Sequence, residues 1–311
     1  MLRRSAFAKD GMHARSALAL VGAILASSTF AQSPRCASTV VGYAPGSGAG
    51  AAYQQPQSAL GEPARFTGIG IEPGAVTPFR PAFMPGEVVS VGRGGWLVLA
   101  FDEPITDDPR HPAGVDLIVY GNAFCTDLAY PGGIAGLSYG EGGLVDVSAD
   151  GVTWLEVPGA FADGGLPTLG WLDVGPYSTT PGTVPTDVAM PVDPAIRADD
   201  LLGLAWSELV AAYGGAAGGT NVDLASVGLA SARFVRIRVP ADATYVPEVD
   251  AVVAVRPLAP AGDLDGNGRI DGADLGILLG DWGACDGCAS DLDGDGSVSG
   301  SDLGLLLGAW G

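Results

Sequence analysis

From Thr39 to Val255 the chain alternates short apolar, β-branched runs with clusters of Gly, Pro and Asp, and no strong long helical periodicity intervenes. Eight runs read as strands: Thr39–Tyr43, Glu87–Val91, Gly95–Phe101, Val115–Tyr120, Leu144–Ser148, Thr153–Val157, Phe234–Val239 and Val249–Val255. Several alternate apolar with polar positions, as Val235, Ile237 and Val239 do against Arg236 and Arg238. Strands with one apolar face need a second layer, so the pattern predicts a mainly β fold: two stacked sheets, a β-sandwich spanning residues 32–257. Two turns are nearly explicit. The Gly-rich Val91–Gly95 predicts a hairpin between the second and third runs, and Asp150-Gly151 predicts another between the fifth and sixth.

Residues 158–222 break the pattern, with Gly, Pro, Asp and Thr throughout and one helical stretch, Ala198–Val210. A connection this long is functional or partly mobile. Trp171, Trp206 and Tyr177 fall in it; aromatics there can stack on sugar faces, but the tryptophans are expected to pack inward.

After Pro257 the pattern changes again. The segment Asp263–Gly283 returns 28 residues later as Asp291–Gly311, with 14 of 21 positions identical. Each copy places oxygen-bearing side chains at loop positions 1, 3, 5, 9 and 12 and Gly at position 6, followed by an apolar segment of helical character. A hard cation takes about six to eight oxygens at roughly 2.3–2.6 Å, so a short loop must curl and aim alternate side chains inward. The spacing therefore predicts two calcium ions. The first would be held by Asp263, Asp265, Asn267, the Arg269 carbonyl, Asp271 and Asp274. The second would be held by Asp291, Asp293, Asp295, the Ser297 carbonyl, Ser299 through water, and Asp302.

An entering helix is excluded before either loop, because Arg256–Gly262 carries two prolines and Ala284–Ser290 is short and Gly-interrupted. A loop with one exiting helix, repeated, resembles a dockerin module, and the Trp282-Gly-x-Cys-x-x-Cys288 link resembles the GC-type variant of secreted bacterial proteins. The resemblance covers residues 258–311 and implies a cohesin-like or envelope-protein partner. There is a departure: positions 10 and 11 are Gly272-Ala273 and Gly300-Ser301, where type I dockerins carry Ser-Thr.

The run Val145–Trp154, taken with Ala232–Val239, is similar to discoidin-like, galactose-binding-type jelly rolls. Phe101-Asp-Glu-Pro104, Val119–Phe124 and Asp223–Leu229 resemble segments of bacterial cell-surface proteins. This resemblance implies a jelly-roll-like fold, with polysaccharide as the candidate ligand.

Composition sets the compartment. Arg3, Arg4, Lys9 and Arg15 precede the apolar run Ala17–Ala26, and Thr29-Phe-Ala31 ends in small residues, so residues 1–31 read as a signal peptide. The expectation is a secreted or cell-surface protein. No stretch reaches the roughly 20 apolar residues of a transmembrane helix. Without residues 1–31 the chain keeps 11 basic and 34 acidic residues, a net charge of −23. That charge repels nucleic acid and anionic membranes and favours divalent cations. Cys285 and Cys288 bracket Asp-Gly and suit a disulfide, with Cys36 and Cys125 left as a candidate long-range pair.

Catalytic signals are weaker. Gly136-Leu-Ser138-Tyr-Gly140 matches the nucleophile-elbow pattern but lacks the flanking strand and helix, and His111, the one histidine after residue 31, precedes it. No catalytic residue is assigned. A polysaccharide-degrading hydrolase is the competing reading. Its carboxylate pair would come from Asp102/Glu103, Asp107/Asp108, Asp116 or Glu141, which are otherwise expected in solvated turns or at a structural calcium on the rim. His111, beside Pro112, reads as an exposed loop residue.

Overall fold

The computed structural model describes residues 33–285 and 287–311, so the segment read as a signal peptide lies outside the described residues. Nine strands build two antiparallel sheets: β1 (Thr39–Ala44), β2 (Val89–Ser90), β3 (Trp96–Thr106), β4 (Leu117–Gly121), β5 (Gly142–Ser148), β6 (Leu155–Asp163), β7 (Thr220–Val222), β8 (Ser231–Arg238) and β9 (Glu248–Ala254). One sheet runs β1-β3-β8-β5-β6 and the other β7-β4-β9-β2. The fold is mainly β, as the alternation predicts. Leu97, Leu99, Val145, Val147, Val235 and Ile237 of the first sheet share one core with Leu117, Val119, Val249 and Val252 of the second. Each such side chain contributes about 1.5–3 kcal/mol by leaving water.

The Asp150-Gly151 hairpin forms, joining β5 to β6, with Asp150 accepting from the N–H groups of Val152 and Thr153 at 2.8 and 2.7 Å. The Val91–Gly95 hairpin does not: β2 and β3 belong to different sheets. The segment Pro45–Ser47 intervenes, accepting from Gly92 N and exchanging two backbone hydrogen bonds between Ser47 and Arg93. A Cβ on Gly92 would stand 2.6 Å from the Ser47 carbonyl oxygen, so this glycine serves a close backbone approach rather than a hairpin turn.

The helix expected over Ala198–Val210 is broken into a 3-10 turn, Ala198–Leu201, and α1, Trp206–Ala212. Between them Gly203 adopts φ 85° and donates to Ala135 O, while Leu204 O accepts from Ala135 N. A strand edge captures the backbone that a helix would have used. That edge belongs to a hairpin absent from the sequence reading, Phe124–Asp127 with Ala135–Tyr139. Trp171 and Trp206 are partly buried and donate their indole N–H groups to Arg65 O and Val174 O at 3.0 and 2.9 Å. Both are tied to the scaffold.

Cys285 and Cys288 form a disulfide with Cα atoms 5.8 Å apart. Cys36 and Cys125 are free thiols, contrary to the long-range pair expected. The fold separates them: Cys36 bridges to Val253 in β9, whereas Cys125 sits with Phe79 and Leu169 in another cluster. Among the described residues no helix is long and apolar enough to cross a membrane.

The β4–β9 ladder skips a residue at Asp250, whose two carboxylate oxygens accept from Ala64 N at 3.1 and 3.0 Å. Burial pushes this carboxyl well above its ordinary pKa, against the pull of the Ala64 N–H. The folded chain then holds the proton more firmly than the unfolded chain. Its stabilising contribution is complete at acid pH and is lost as pH rises from about 4 towards the folded-state value. The unfolding free energy from urea titration is expected to fall across that window, by up to about 1.4 kcal/mol per pH unit from this group, and Asp250→Asn is expected to flatten the slope.

Candidate functional site

The two acidic loops fold alike and share their principal hydrogen bonds. Asp263 accepts from Asn267 N and Gly268 N at 3.0 and 2.7 Å, and 28 residues on, Asp291 accepts from Asp295 N and Gly296 N at 3.1 and 2.8 Å. Gly268 and Gly296 take φ 87° and 88°, the left-handed backbone that curls each loop at position 6. At position 12, Asp274 accepts from Leu264 N, Asp265 N and Asp271 N, and Asp302 accepts from Leu292 N, Asp293 N and Ser299 N. Position 12 closes the loop onto its own start.

Each loop also starts its helix. Asp271 and Ser299 cap α2 (Gly272–Gly280) and α3 (Gly300–Gly308), accepting from Ala273 N and Ser301 N, and with Asp274 and Asp302 they complete capping boxes. The helix ends then cross over. Gly283 pairs with Val298 of the second loop, while Gly311 N donates to Ile270 O of the first at 3.3 Å. Ile270, Leu278, Val298 and Leu306 form the buried core, two residues per copy at matching positions. Neither copy can close without the other.

This geometry converges three carboxylates per loop, Asp263/Asp265/Asp274 and Asp291/Asp293/Asp302, each offering an oxygen within 4.8 Å of the other two. Such a cluster can hold a metal ion. The remaining predicted ligands have other partners. Asn267 Oδ1 accepts from Arg269 N, Asp295 Oδ1 accepts from Ser297 N and Oγ, and Asp271 and Ser299 serve as caps. Burial raises Asp274, yet the N–H groups of Asp271, Asp265 and Leu264 outweigh it and hold the carboxyl below the ordinary carboxylate value. Ser299 N does most to hold Asp302 low, whereas desolvation and the adjacent charges of Asp295, Asp302 and Asp291 push Asp293 up.

Among the described residues, Asp102, Glu103, Asp107, Asp108 and Asp116 join no cluster of three acidic side chains. Asp102 accepts from Ser38 Oγ, Asp108 pairs with Arg110, and Glu103 and Asp107 are exposed. Asp116 and His111 overturn the expectation of solvated positions: both are buried, with His111 Nδ1 2.6 Å from Asp116 Oδ1 and Leu224 N donating to Asp116 Oδ2 at 2.8 Å. The Pro112–Gly114 turn folds the histidine back onto β4's entry. Ser138 lies mid-strand in Ala135–Tyr139, and β5 follows it rather than a helix, so no nucleophile elbow exists there. Glu141 does find carboxylate neighbours, Asp163 and Glu248, which the sequence reading did not single out.

A groove of about 350 Å3 lies on the five-stranded sheet, lined by Val41, Trp96, Val98, Trp154, Arg236 and Arg238. The Arg236 guanidinium sits 4.5 Å from the Trp154 ring centroid and donates to Asp146, which also receives Arg238. Gly42 allows Trp96 to lie across β1, since a Cβ there would stand 2.8 Å from the indole. The outward phase of Arg236 and Arg238 is legible in the alternation; that two tryptophans join them required the register. No protein-family model matches this chain and no curated protein sequence is similar to it, so its functional reading rests on the two acidic loops and the groove themselves.

Proposed function

We propose that this is a secreted or cell-surface, non-catalytic protein in which a jelly-roll-like β-sandwich binds carbohydrate and a dockerin-like module, ordered by two calcium ions, attaches it to a protein partner. The observation that carries the reading is the repetition of the two acidic loops, each closed by the position-12 carboxylate and each with three convergent carboxylates. Calcium fits this donor set because it is all oxygen, carboxylate-rich and carried by short loops that adapt to six or more ligands. Its chemistry is charge neutralisation. The chain's own residues do the ordering: Asp274 and Asp302 link loop to helix, and the crossed helix ends lock the copies together.

Exposed Leu279, Trp282, Leu307 and Trp310, four large apolar side chains on the short module of residues 258–311, support a protein partner. A cohesin-like or envelope protein suits that surface. The Trp96/Trp154/Arg236 groove supports carbohydrate binding: flat aromatic faces offer apolar contact to sugar rings, and the arginines supply hydrogen-bond donors.

A screen of the full chain against polysaccharides and a glycan array, in calcium and in chelator, tests the reading. Binding is expected, with affinity falling at least about tenfold in Trp154→Ala, on the order of 1.4 kcal/mol. Release of reducing sugars would instead establish the hydrolase. Silence from every glycan would leave the sheets a structural or protein-binding role.

A further inference from the structure

Three carboxylates at three strand ends meet outside the acidic loops. Glu141 precedes β5, Asp163 ends β6 and Glu248 opens β9; the ladders set Asp163 against Gly142 and Glu248 against Ser90. One oxygen of each lies within 4.8 Å of the other two. They line a cleft of about 590 Å3 together with Asn122, Tyr139 and Tyr245.

Asp163 is the telling member. It is 2 % exposed, and its Oδ1 is buried with no hydrogen-bond partner. The N–H groups of Ala123, Glu141 and Glu248 lie near enough to moderate its charge, yet none meets Oδ1 in hydrogen-bond geometry. Beside Glu248, the buried Ser90 hydroxyl lies near enough to lower that carboxyl, though outside hydrogen-bond geometry. Burial first and the Glu141 charge second push Asp163 up to about 7, and the same two causes raise Glu248. Gly121 faces this carboxylate because nothing larger fits: a Cβ there would stand 2.6 Å from Asp163 Oδ1. Among the described residues no Arg lines the cleft. Buried, crowded carboxylates without a basic neighbour are disfavoured unless a cation joins them.

We propose that Glu141, Asp163 and Glu248 form a third cation site, for a hard divalent ion of the calcium class. The donor set is oxygen only, with Asn122 offering a neutral oxygen on the same wall, and the cleft lines up no His or Cys that would favour zinc. The ion ties β6 and β9, from different sheets, to the segment that follows the Phe124–Tyr139 hairpin. It thereby fixes the stacked rings of Phe124 and Tyr139, whose centroids are 5.5 Å apart, on the cleft rim.

Equilibrium dialysis of the full chain against calcium alone tests the site, using two double variants. Glu141→Gln with Glu248→Gln is expected to lose one bound ion per chain. Asp263→Ala with Asp291→Ala, which disables the loops, is expected to keep one. If the loops bind no calcium, the second variant matches wild type while the first still loses an ion, so the two readings fail separately. An unchanged ion count in the Gln pair overturns the proposal. Thermal unfolding supplies the second readout. In chelator the Gln pair is expected to melt no lower than wild type, because carboxylate repulsion is gone, and the calcium-dependent rise in the sheet transition is expected to vanish. A rise that persists in the Gln pair overturns the proposal as well.

Discussion

Chelation of the full chain is expected to unfold residues 258–311 while the two sheets stay folded. Helices α2 and α3 span nine residues each, shorter than the roughly 12–15 at which isolated helices become even marginal in water, and each carries glycine at both ends and in its interior. Their shared core is four fully buried side chains. A module this small needs a further staple, and the disulfide closes only a short loop between the copies. Calcium supplies it by mass action, contributing about 2.7 kcal/mol when its concentration is 100-fold above Kd. Far-ultraviolet circular dichroism should therefore lose the signal of two short helices in chelator and regain it in millimolar calcium. Asp274→Ala and Asp302→Ala should each abolish the recovery, since each removes a carboxylate of the cluster and the acceptor of three backbone N–H groups. Identical spectra with and without calcium would rule out a metal-ordered module.

Asp116→Ala is expected to cost about 3 kcal/mol in urea unfolding, the largest effect of any single polar substitution in the sheets. The change strands two buried polar groups at once, the Leu224 N–H and His111 Nδ1, each of which costs about 1–3 kcal/mol when left unpaired. Asp116→Asn keeps the shape and one acceptor, so it should lose roughly half as much. Because the carboxylate joins the 107–115 connection to the start of the Ala225–Val227 turn, the loss should appear in both equilibrium stability and amide exchange of Leu224. A cost under about 0.5 kcal/mol would mean the pair contributes no more than an ordinary surface contact.

The parts of the site that could be read from sequence are those set by local spacing. Asp263, Asp265 and Asp274 converge because a 12-residue loop with Gly268 at its bend has few ways to curl, and the 28-residue repeat states the geometry twice. The strands were legible for the same reason, since alternation at period two is a local property. Misreadings arose where distant backbone intervened. Val91–Gly95 has the composition of a hairpin, but Pro45–Ser47 occupies it; Ala198–Val210 has helical composition, but the edge at Ala135 captures Gly203 and Leu204. His111 reads as a loop residue beside proline until Asp116 is seen buried beneath it.

The sequence by itself determined the mainly β character of residues 39–255 and the spacing of the two acidic loops, because each follows from residue types at fixed short spacing. Tertiary structure alone decided which sheet each strand joins, that the two loops close each other through Gly283 and Gly311, that Cys36 and Cys125 stay apart, and that Glu141, Asp163 and Glu248 share one cleft. Those contacts join residues up to 160 positions apart, as Val89 and Val249 are, and no local propensity encodes such a meeting. Burial of one apolar face from each sheet in a common core brings those strand ends together.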